Sequence, residues 1–380
     1  MKPCFFIGLL LIILHIQPFS VRSQDSLTFD GQVSLWLNLN PSLELPVYVG
    51  GRYLPQVNLI KPLKNEKKLD MELSANLNGS IGFHPFDTSY ASGMIKPYRA
   101  WVRYAANQFE LRLGLQKLNF GSASLFRPLM WFDQLDPRDP LQLTDGVWGI
   151  LNRYYFLNNA NIWFWVLYGN TKPRGWDPMK TSKGFPETGG RIQLPVPYGE
   201  IALTYHYRMA DSEGLEVIPD ITEISEHRIG FDARLDLTVG LWFEGSWAHR
   251  NEDLDLATNQ EILTAGLDYT FGVGNGLTVI VEQMIASSDE KAFAFENLLS
   301  LSGMSVSYPV GMFDNLSGIF YYDWTNHGFY NYVTWQKKYD RIMIYLMAYW
   351  NPENYQMLIR HDTQNLFSGK GLQIMFVFNH

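Results

Sequence analysis

The chain has 380 residues, of which 46% are hydrophobic, 15% aromatic and only 18% charged, with a formal net charge of −8. Many aromatic residues with sparse charge exclude a disordered chain, a single cysteine excludes a disulfide scaffold, and the acidic balance argues against a nucleic-acid partner. After the N-terminal segment, no apolar run reaches the roughly 20 residues that a transmembrane helix needs.

The chain begins with the pattern of an export signal. Lys2 supplies a positive charge, residues 4–14 form a short apolar run, and Ser23 offers a small residue at the predicted cleavage point. The run is too short to cross a bilayer and has signal-peptide flanks. We therefore predict a signal peptide over residues 1–23 and a single domain over residues 24–380, with an N-terminal anchor helix as the alternative. The exported domain would contain no cysteine, as expected of a Gram-negative envelope protein.

The exported domain alternates between apolar and polar residues. Residues 69–83 carry mainly apolar side chains at odd positions and polar ones at even positions. Residues 109–115, 228–237, 263–271 and 371–378 repeat the pattern. Successive side chains of a strand point to opposite faces, so each segment predicts a strand with one apolar face.

The predicted connections also alternate in length. Short turns such as residues 198–199 and 339–340 are followed by longer polar loops, for example 84–95, 120–145 and 170–188. Short turns at one end and long loops at the other are typical of an outer-membrane β-barrel. A soluble β-sandwich has no reason to segregate loop lengths in this way.

The fold class predicted from these patterns is all-β: a transmembrane antiparallel barrel of about 18 strands, with short periplasmic turns and long extracellular loops. Pro46 and Pro55 interrupt the first pair, and proline favours strand edges, so 16 strands is the alternative. Aromatic clusters near strand ends, such as residues 154–156 and 349–350, indicate interfacial girdles.

Two stretches resemble known families. The C-terminal segment from Gly371 to Phe378 is similar to the terminal-strand signal that the outer-membrane barrel insertion machinery reads, although Asn379 and His380 follow the usual final aromatic position. The second stretch runs R-L-G-L-Q over 112–116, F-G over 120–121, R-P-L over 127–129 and D-P-R-D over 136–139. It resembles a region of porin-like outer-membrane barrels, including alginate-export-type families, in which the first Asp of D-P-R-D is more usually Asn. This resemblance implies a channel and does not name a substrate.

Strand parity places many charged residues on the inner face of the barrel. A lipid-facing charge costs about 2–4 kcal/mol at the bilayer midplane, so the inward assignment is favoured. Pairing between these charges, which would only hold the wall together, is the alternative for each residue. The wall residues predicted to line the pore are Arg99, Arg103, Glu110, Arg112, Gln116, Arg228, Asp232 and Arg234.

Loop 120–145 is the longest loop and the third on the long-loop side. Loops of this length without their own secondary structure are usually functional. By analogy with general porins, we expect it to fold inward and narrow the channel; an outward cap is the alternative. Charges in such a constriction set solute preference. The candidate charges in this loop are Arg127, Asp133, Asp136, Arg138 and Asp139.

The sequence therefore predicts an outer-membrane channel that passes small polar solutes or exports a polysaccharide. The alternative is a closed barrel that serves as a scaffold or partner-binding component of an envelope machine. We find no motif of a hydrolase, nucleotide site or metal site, and we predict no catalytic residue and no cofactor. The expected partners are outer-membrane lipid and lipopolysaccharide, the insertion machinery and, as is common among porins, two further copies in a homotrimer.

Overall fold

The computed structural model describes residues 26–85, 87–215, 218–353 and 366–380. The predicted signal peptide, residues 1–23, lies outside the described residues. Within them the chain forms 18 long antiparallel strands. These are β1 (Ser26–Leu39), β2 (Val47–Pro62), β3 (Lys68–Phe83), β4 (Ser89–Ala106), β5 (Phe109–Gln116), β6 (Val147–Tyr155), β7 (Asn161–Leu167), β8 (Glu187–Val196), β9 (Gly199–Asp211), β10 (Ile224–Asp236), β11 (Gly240–Arg250), β12 (Asn259–Phe271), β13 (Leu277–Asp289), β14 (Leu298–Pro309), β15 (Asp314–Asp323), β16 (Gly328–Lys338), β17 (Ile342–Trp350) and β18 (Lys370–Asn379).

The sheet closes on itself. Each strand pairs with its neighbour in the chain, and β1 pairs with β18 in a register that joins Gln32 to Asn379 and Leu39 to Leu372. The two-residue segment Lys180–Thr181 adds a short pairing at the end of β9. The predicted all-β barrel of 18 strands is confirmed, and the 16-strand alternative is wrong.

Proline affects the first strands only locally. The ladder between β2 and β3 omits Leu54 and Pro55 and then continues in the same register, because proline has no N–H to donate. Between β3 and β4 the register shifts at Ser74 and Ala75, opposite Pro97. The strands therefore accept prolines at the cost of a few ladder bonds.

The outer face of the barrel is apolar. On β9, Leu203 is 57% exposed, whereas the neighbouring Ala202 and Thr204 are 3% and 1% exposed because they face inward. Large apolar side chains at outward positions repeat around the barrel, among them Phe231, Phe243, Leu267, Met304, Leu346 and Phe376. A closed barrel satisfies its backbone internally, and an apolar outer band suits lipid. No helix among the described residues is long and apolar enough to cross a membrane.

Connections at the two ends differ as predicted. One end carries short turns such as residues 107–108 and 197–198, whereas the other carries the segments 117–146 and 168–186. The predicted loop 84–95 is wrong in its extent, because β4 already begins at Ser89 and pairs with the end of β3.

Candidate functional site

The connection between β5 and β6, residues 117–146, lies against the inner wall; we call it the belt. Its first part packs on β7, where the rings of Phe120 and Trp165 are 5.9 Å apart. It then reaches β15, where the rings of Phe126 and Tyr321 are 5.4 Å apart. The belt therefore extends across the lumen from the strands that it connects.

The second part of the belt returns along the other side of the lumen. Arg138 Nη1 donates to Tyr332 Oη on β16 at 3.3 Å, and Leu141 packs against a buried cluster on β17 and β18. Near its end, the carbonyl oxygen of Thr144 accepts from Arg99 Nη2 on β4 at 3.0 Å. The belt thus contacts the wall around the lumen, and the inward position expected for this loop agrees with these contacts.

A buried carboxylate on β13 holds the first part of the belt. Glu282, which is 1% exposed, accepts the backbone N–H groups of Ser124 at 2.6 Å, Leu125 at 3.0 Å and Phe126 at 2.7 Å. It also accepts from Trp242 Nε1 at 3.1 Å. Charge-assisted bonds to backbone amides are among the stronger hydrogen bonds, so Glu282 fixes the backbone of the belt.

A second carboxylate, on β11, acts in the same way. Glu244, which is 0% exposed, accepts the backbone N–H groups of Ala123 at 2.9 Å and Leu129 at 2.7 Å. Gly121 has φ +99°, and a Cβ there would overlap the Glu244 carboxylate. Glu244 is absent from the predicted set, although its alternation with the outward-facing Phe243 marks it as inward-facing.

Four of the predicted belt charges form two ion pairs within the belt. Arg127 binds Asp133 through two bonds of 2.8 and 3.1 Å, and Arg138 binds Asp136 through two bonds of 2.8 Å. Burial would lower the pKa of Arg138, but the Asp136 carboxylate raises it well above its ordinary value. Within each pair, the guanidinium and the carboxylate offset each other's charge.

Two other predicted side chains hold the backbone around the belt. Asp139 accepts the backbone N–H groups of Leu141 at 3.0 Å and Leu143 at 3.3 Å. Gln116 is fully buried, and its Nε2 donates to the carbonyl oxygen of Gly149 at 3.1 Å. The predicted role of Asp139 in a constriction and that of Gln116 in lining the pore stay predictions.

A group of predicted wall charges clusters on β3 to β6. Arg103 Nε donates to Asp70 at 3.0 Å, and Glu110 binds Arg112 at 2.9 Å and lies 3.9 Å from Arg153. The three arginine side chains are 23%, 15% and 17% exposed. They are paired and remain partly exposed on the inner face. That Arg103, Glu110 and Arg112 line a pore stays a prediction.

Two of the three predicted wall charges on β10, Asp232 and Arg234, are also paired. Asp232 binds Arg191 through two bonds of 2.5 and 2.9 Å and is 1% exposed. Arg234 binds Asp236 and Asp268, each at 2.9 Å, and it is 31% exposed. Asp232 is buried beside Arg191, whereas Arg234 is more exposed and lies near the short-turn end.

The largest charge cluster joins β9, β10 and β11 to the loop 168–186. Asp177, from this loop, pairs with Arg208, Arg228 and Arg250, and Glu226 pairs with the same three arginines. All five side chains are at most 6% exposed. Only Arg228 belongs to the predicted set. Strand alternation could have found the three other wall residues, but no periodic pattern marks a loop aspartate.

The inner wall from β14 to β18 differs from the wall from β3 to β13, which carries the charges described above. Between the strand ends, its inward-facing residues carry hydroxyl, amide, aromatic and aliphatic side chains, and none of these described residues is ionised. They include Ser305, Ser307, Ser317, Tyr321, Tyr330, Tyr332, Thr334, Tyr345, Tyr349 and Gln373. We call β3 to β13 the charged wall and β14 to β18 the uncharged wall; β1 and β2 belong to neither.

Comparison with known proteins places this architecture among outer-membrane porins. OccK5 (OpdH) from Pseudomonas aeruginosa superposes with a TM-score of 0.57 at 8% identity, over 94% of this chain and 97% of that chain. OpdQ from the same organism gives 0.55 at 10% identity, over 94% and 98%, and OccAB4 from Acinetobacter baumannii gives 0.52 at 11%, also over 94% and 98%. No family model matches the sequence, and no curated protein does. The chain has the fold of an outer-membrane porin, which confirms the resemblance found in the sequence.

Proposed function

We propose that the protein is an outer-membrane channel through which small polar solutes diffuse, and that the belt narrows its lumen. The main support is the attachment of the belt to the inner wall through Glu244 and Glu282. An 18-strand barrel is wide enough for an aqueous lumen. A belt attached to the wall by buried Glu244 and Glu282 would narrow the lumen without a conformational change.

Small solutes suit this lumen better than a polysaccharide in export. A long polymer needs a free path of nearly constant width, whereas the belt contacts strands on all sides of the lumen. The porin fold of the solved neighbours supports a channel in general. A closed scaffold is the outcome that the experiment below would favour if no pore opens.

We do not propose a hydrolase. A hydrolase that uses a histidine as its base needs that histidine to orient a nucleophile. The buried His206 instead accepts from Trp165 Nε1 at 3.2 Å, and its Nε2 lies 3.1 Å from Glu187. Both ring nitrogens therefore bind side chains of the wall.

The test compares planar-bilayer conductance of the folded protein with that of a belt-release variant, Glu244→Ala combined with Glu282→Ala. We expect stable ohmic steps from the unmodified protein and larger steps from the variant, because the belt loses its amide acceptors. Glu252→Ala combined with Glu290→Ala, in exposed loops, removes the same two charges without touching the belt; this matched control should conduct like the unmodified protein. Gel mobility with and without heating verifies that each barrel is folded.

Two results would contradict the proposal. Absence of steps from folded barrels of both kinds would exclude a passive channel and favour the scaffold. Equal conductance of the unmodified protein and the belt-release variant would leave a channel but exclude the belt as its narrowest part.

A further inference from the structure

A chamber of about 170 Å³ lies between the belt and the uncharged wall. Ser317, Thr334, Gln336 and Tyr345 line it from β15, β16 and β17, and Arg138 lines it from the belt. These wall residues lie from mid-height of the barrel toward the short-turn end. A solute that has passed the belt would therefore meet this chamber next.

The chamber offers hydrogen-bonding groups that are not fully used. Gln336 Nε2 donates to Tyr345 Oη at 3.1 Å. The amide oxygen of Gln336 and the hydroxyl of Thr334 have no hydrogen-bond partner among the residues that the structure describes. Both side chains are half-buried, so water or a solute can reach them. These groups favour a polar ligand with hydroxyl groups.

The charges around the chamber favour a neutral ligand. Arg138 is the one ionised residue in its lining, and the Asp136 carboxylate already binds that guanidinium through two bonds of 2.8 Å. A cation would find no free carboxylate there, and an anion would have to compete with Asp136. Burying an unpaired charge is costly, so either ion would be disfavoured.

Apolar surface completes the lining. Ile319 and Met347 contribute it from the wall, and Pro137 and Pro140 contribute it from the belt. A ligand that matches this chamber carries several hydroxyl groups together with C–H surface and no net charge. Among common small solutes, a pyranose ring combines these properties at a size that suits the volume.

We propose that this chamber is a binding site for a neutral sugar ring, and that the uncharged wall is the path of neutral carbohydrate through the channel. The proposed path depends on the proposed channel function, whereas the binding of a sugar ring in the chamber does not. Binding is therefore measured separately from conduction.

The first experiment titrates the folded, detergent-solubilised protein calorimetrically with three related rings: glucose, the anionic glucuronate and the cationic glucosamine. We expect glucose to bind about tenfold more tightly than glucuronate or glucosamine. One poorly solvated charge, or one lost hydrogen bond, lowers affinity by about that factor. Tighter binding of glucuronate or glucosamine would overturn the proposal, and so would a lack of glucose binding.

The second experiment locates the site. Gln336→Leu removes the amide from the chamber at nearly constant volume, and we expect glucose affinity to fall about tenfold. Gln193→Leu makes the same change at an inward-facing, half-buried position on β8 in the charged wall, and its glucose affinity should equal that of the unmodified protein. Equal affinities of both variants and the unmodified protein would place any binding outside the chamber.

Conductance then separates the two proposals. Glucose binding to a folded barrel that gives no ohmic steps would reject the channel and retain the site. Ohmic steps from a protein that binds no glucose would retain the channel and reject the site.

Discussion

The two parts of the inner wall are stabilised in different ways. The charged wall, β3 to β13, holds the belt and the loop 168–186 through buried carboxylates and arginines, as at Glu282 and Asp177. The uncharged wall, β14 to β18, contacts the belt through tyrosine rings, a tyrosine hydroxyl and aliphatic side chains. Buried ion pairs are costly to break because each leaves an unpaired charge. The difference indicates that the charged wall fixes the loops, and it motivates the proposal that neutral solutes pass along the uncharged wall.

The largest effect should follow from breaking the cluster around Asp177. Asp177→Ala leaves Arg208, Arg228 and Arg250 with Glu226 as the carboxylate that they share. Removal of one partner from a buried ion pair costs about 3–5 kcal/mol. We expect a loss of that size in the free energy of unfolding, measured by urea titration of the barrel in lipid vesicles.

The control for this change is Asp340→Ala, in an exposed turn. It should leave the unfolding midpoint unchanged. A similar small effect of Asp177→Ala would mean that the three arginines find water or other partners, and that the charged wall is not held by this cluster.

A smaller effect is expected from a polar contact of the uncharged wall. The hydroxyl of Tyr349, on β17, lies 2.7 Å from Asn38 Oδ1 and 2.9 Å from the carbonyl oxygen of Leu366. Tyr349→Phe removes one neutral hydrogen bond, worth about 1 kcal/mol. The same urea titration should resolve a shift well below that of Asp177→Ala. An equal or larger shift would remove the contrast between the walls.

The sequence predicted the strands well because their signals are local. Alternation with a period of two, together with turn residues, decides where a strand runs and which side chains face inward. The extent of β4 was missed because Ser89 is ordered by pairing with the distant end of β3. The same alternation predicted that the side chains of Arg103 and Glu110 face inward.

The contacts of the belt could not be predicted from sequence. Leu125 and Glu282 are far apart in the chain, and only the closed barrel brings the belt amide to that carboxylate. Asp177 lies in a loop without any period, so nothing local marks it as the partner of three arginines. The D-P-R-D motif is explained afterwards by the Asp136–Arg138 pair, which stabilises the belt and does not identify a solute.

The smallest effect should come from the one belt cation that the described residues leave without a hydrogen bond or ion pair, Lys117. Burial lowers its pKa below the ordinary 10.5, an effect that Asp133 partly offsets and that Arg127 and Arg99 reinforce. Lys117→Gln removes a positive charge from the lumen, so the reversal potential in a salt gradient should shift slightly toward cation selectivity. Lys172→Gln, in an exposed loop, is the matched control and should leave the potential unchanged.

The pH dependence of the reversal potential tests the same residue. A lysine loses its charge as the pH rises through its pKa, and the pKa of Lys117 is lowered. The unmodified channel should therefore approach the potential of Lys117→Gln at alkaline pH, below the pH at which an ordinary lysine titrates. An unchanged potential in Lys117→Gln would mean that ions pass along a part of the lumen remote from the start of the belt.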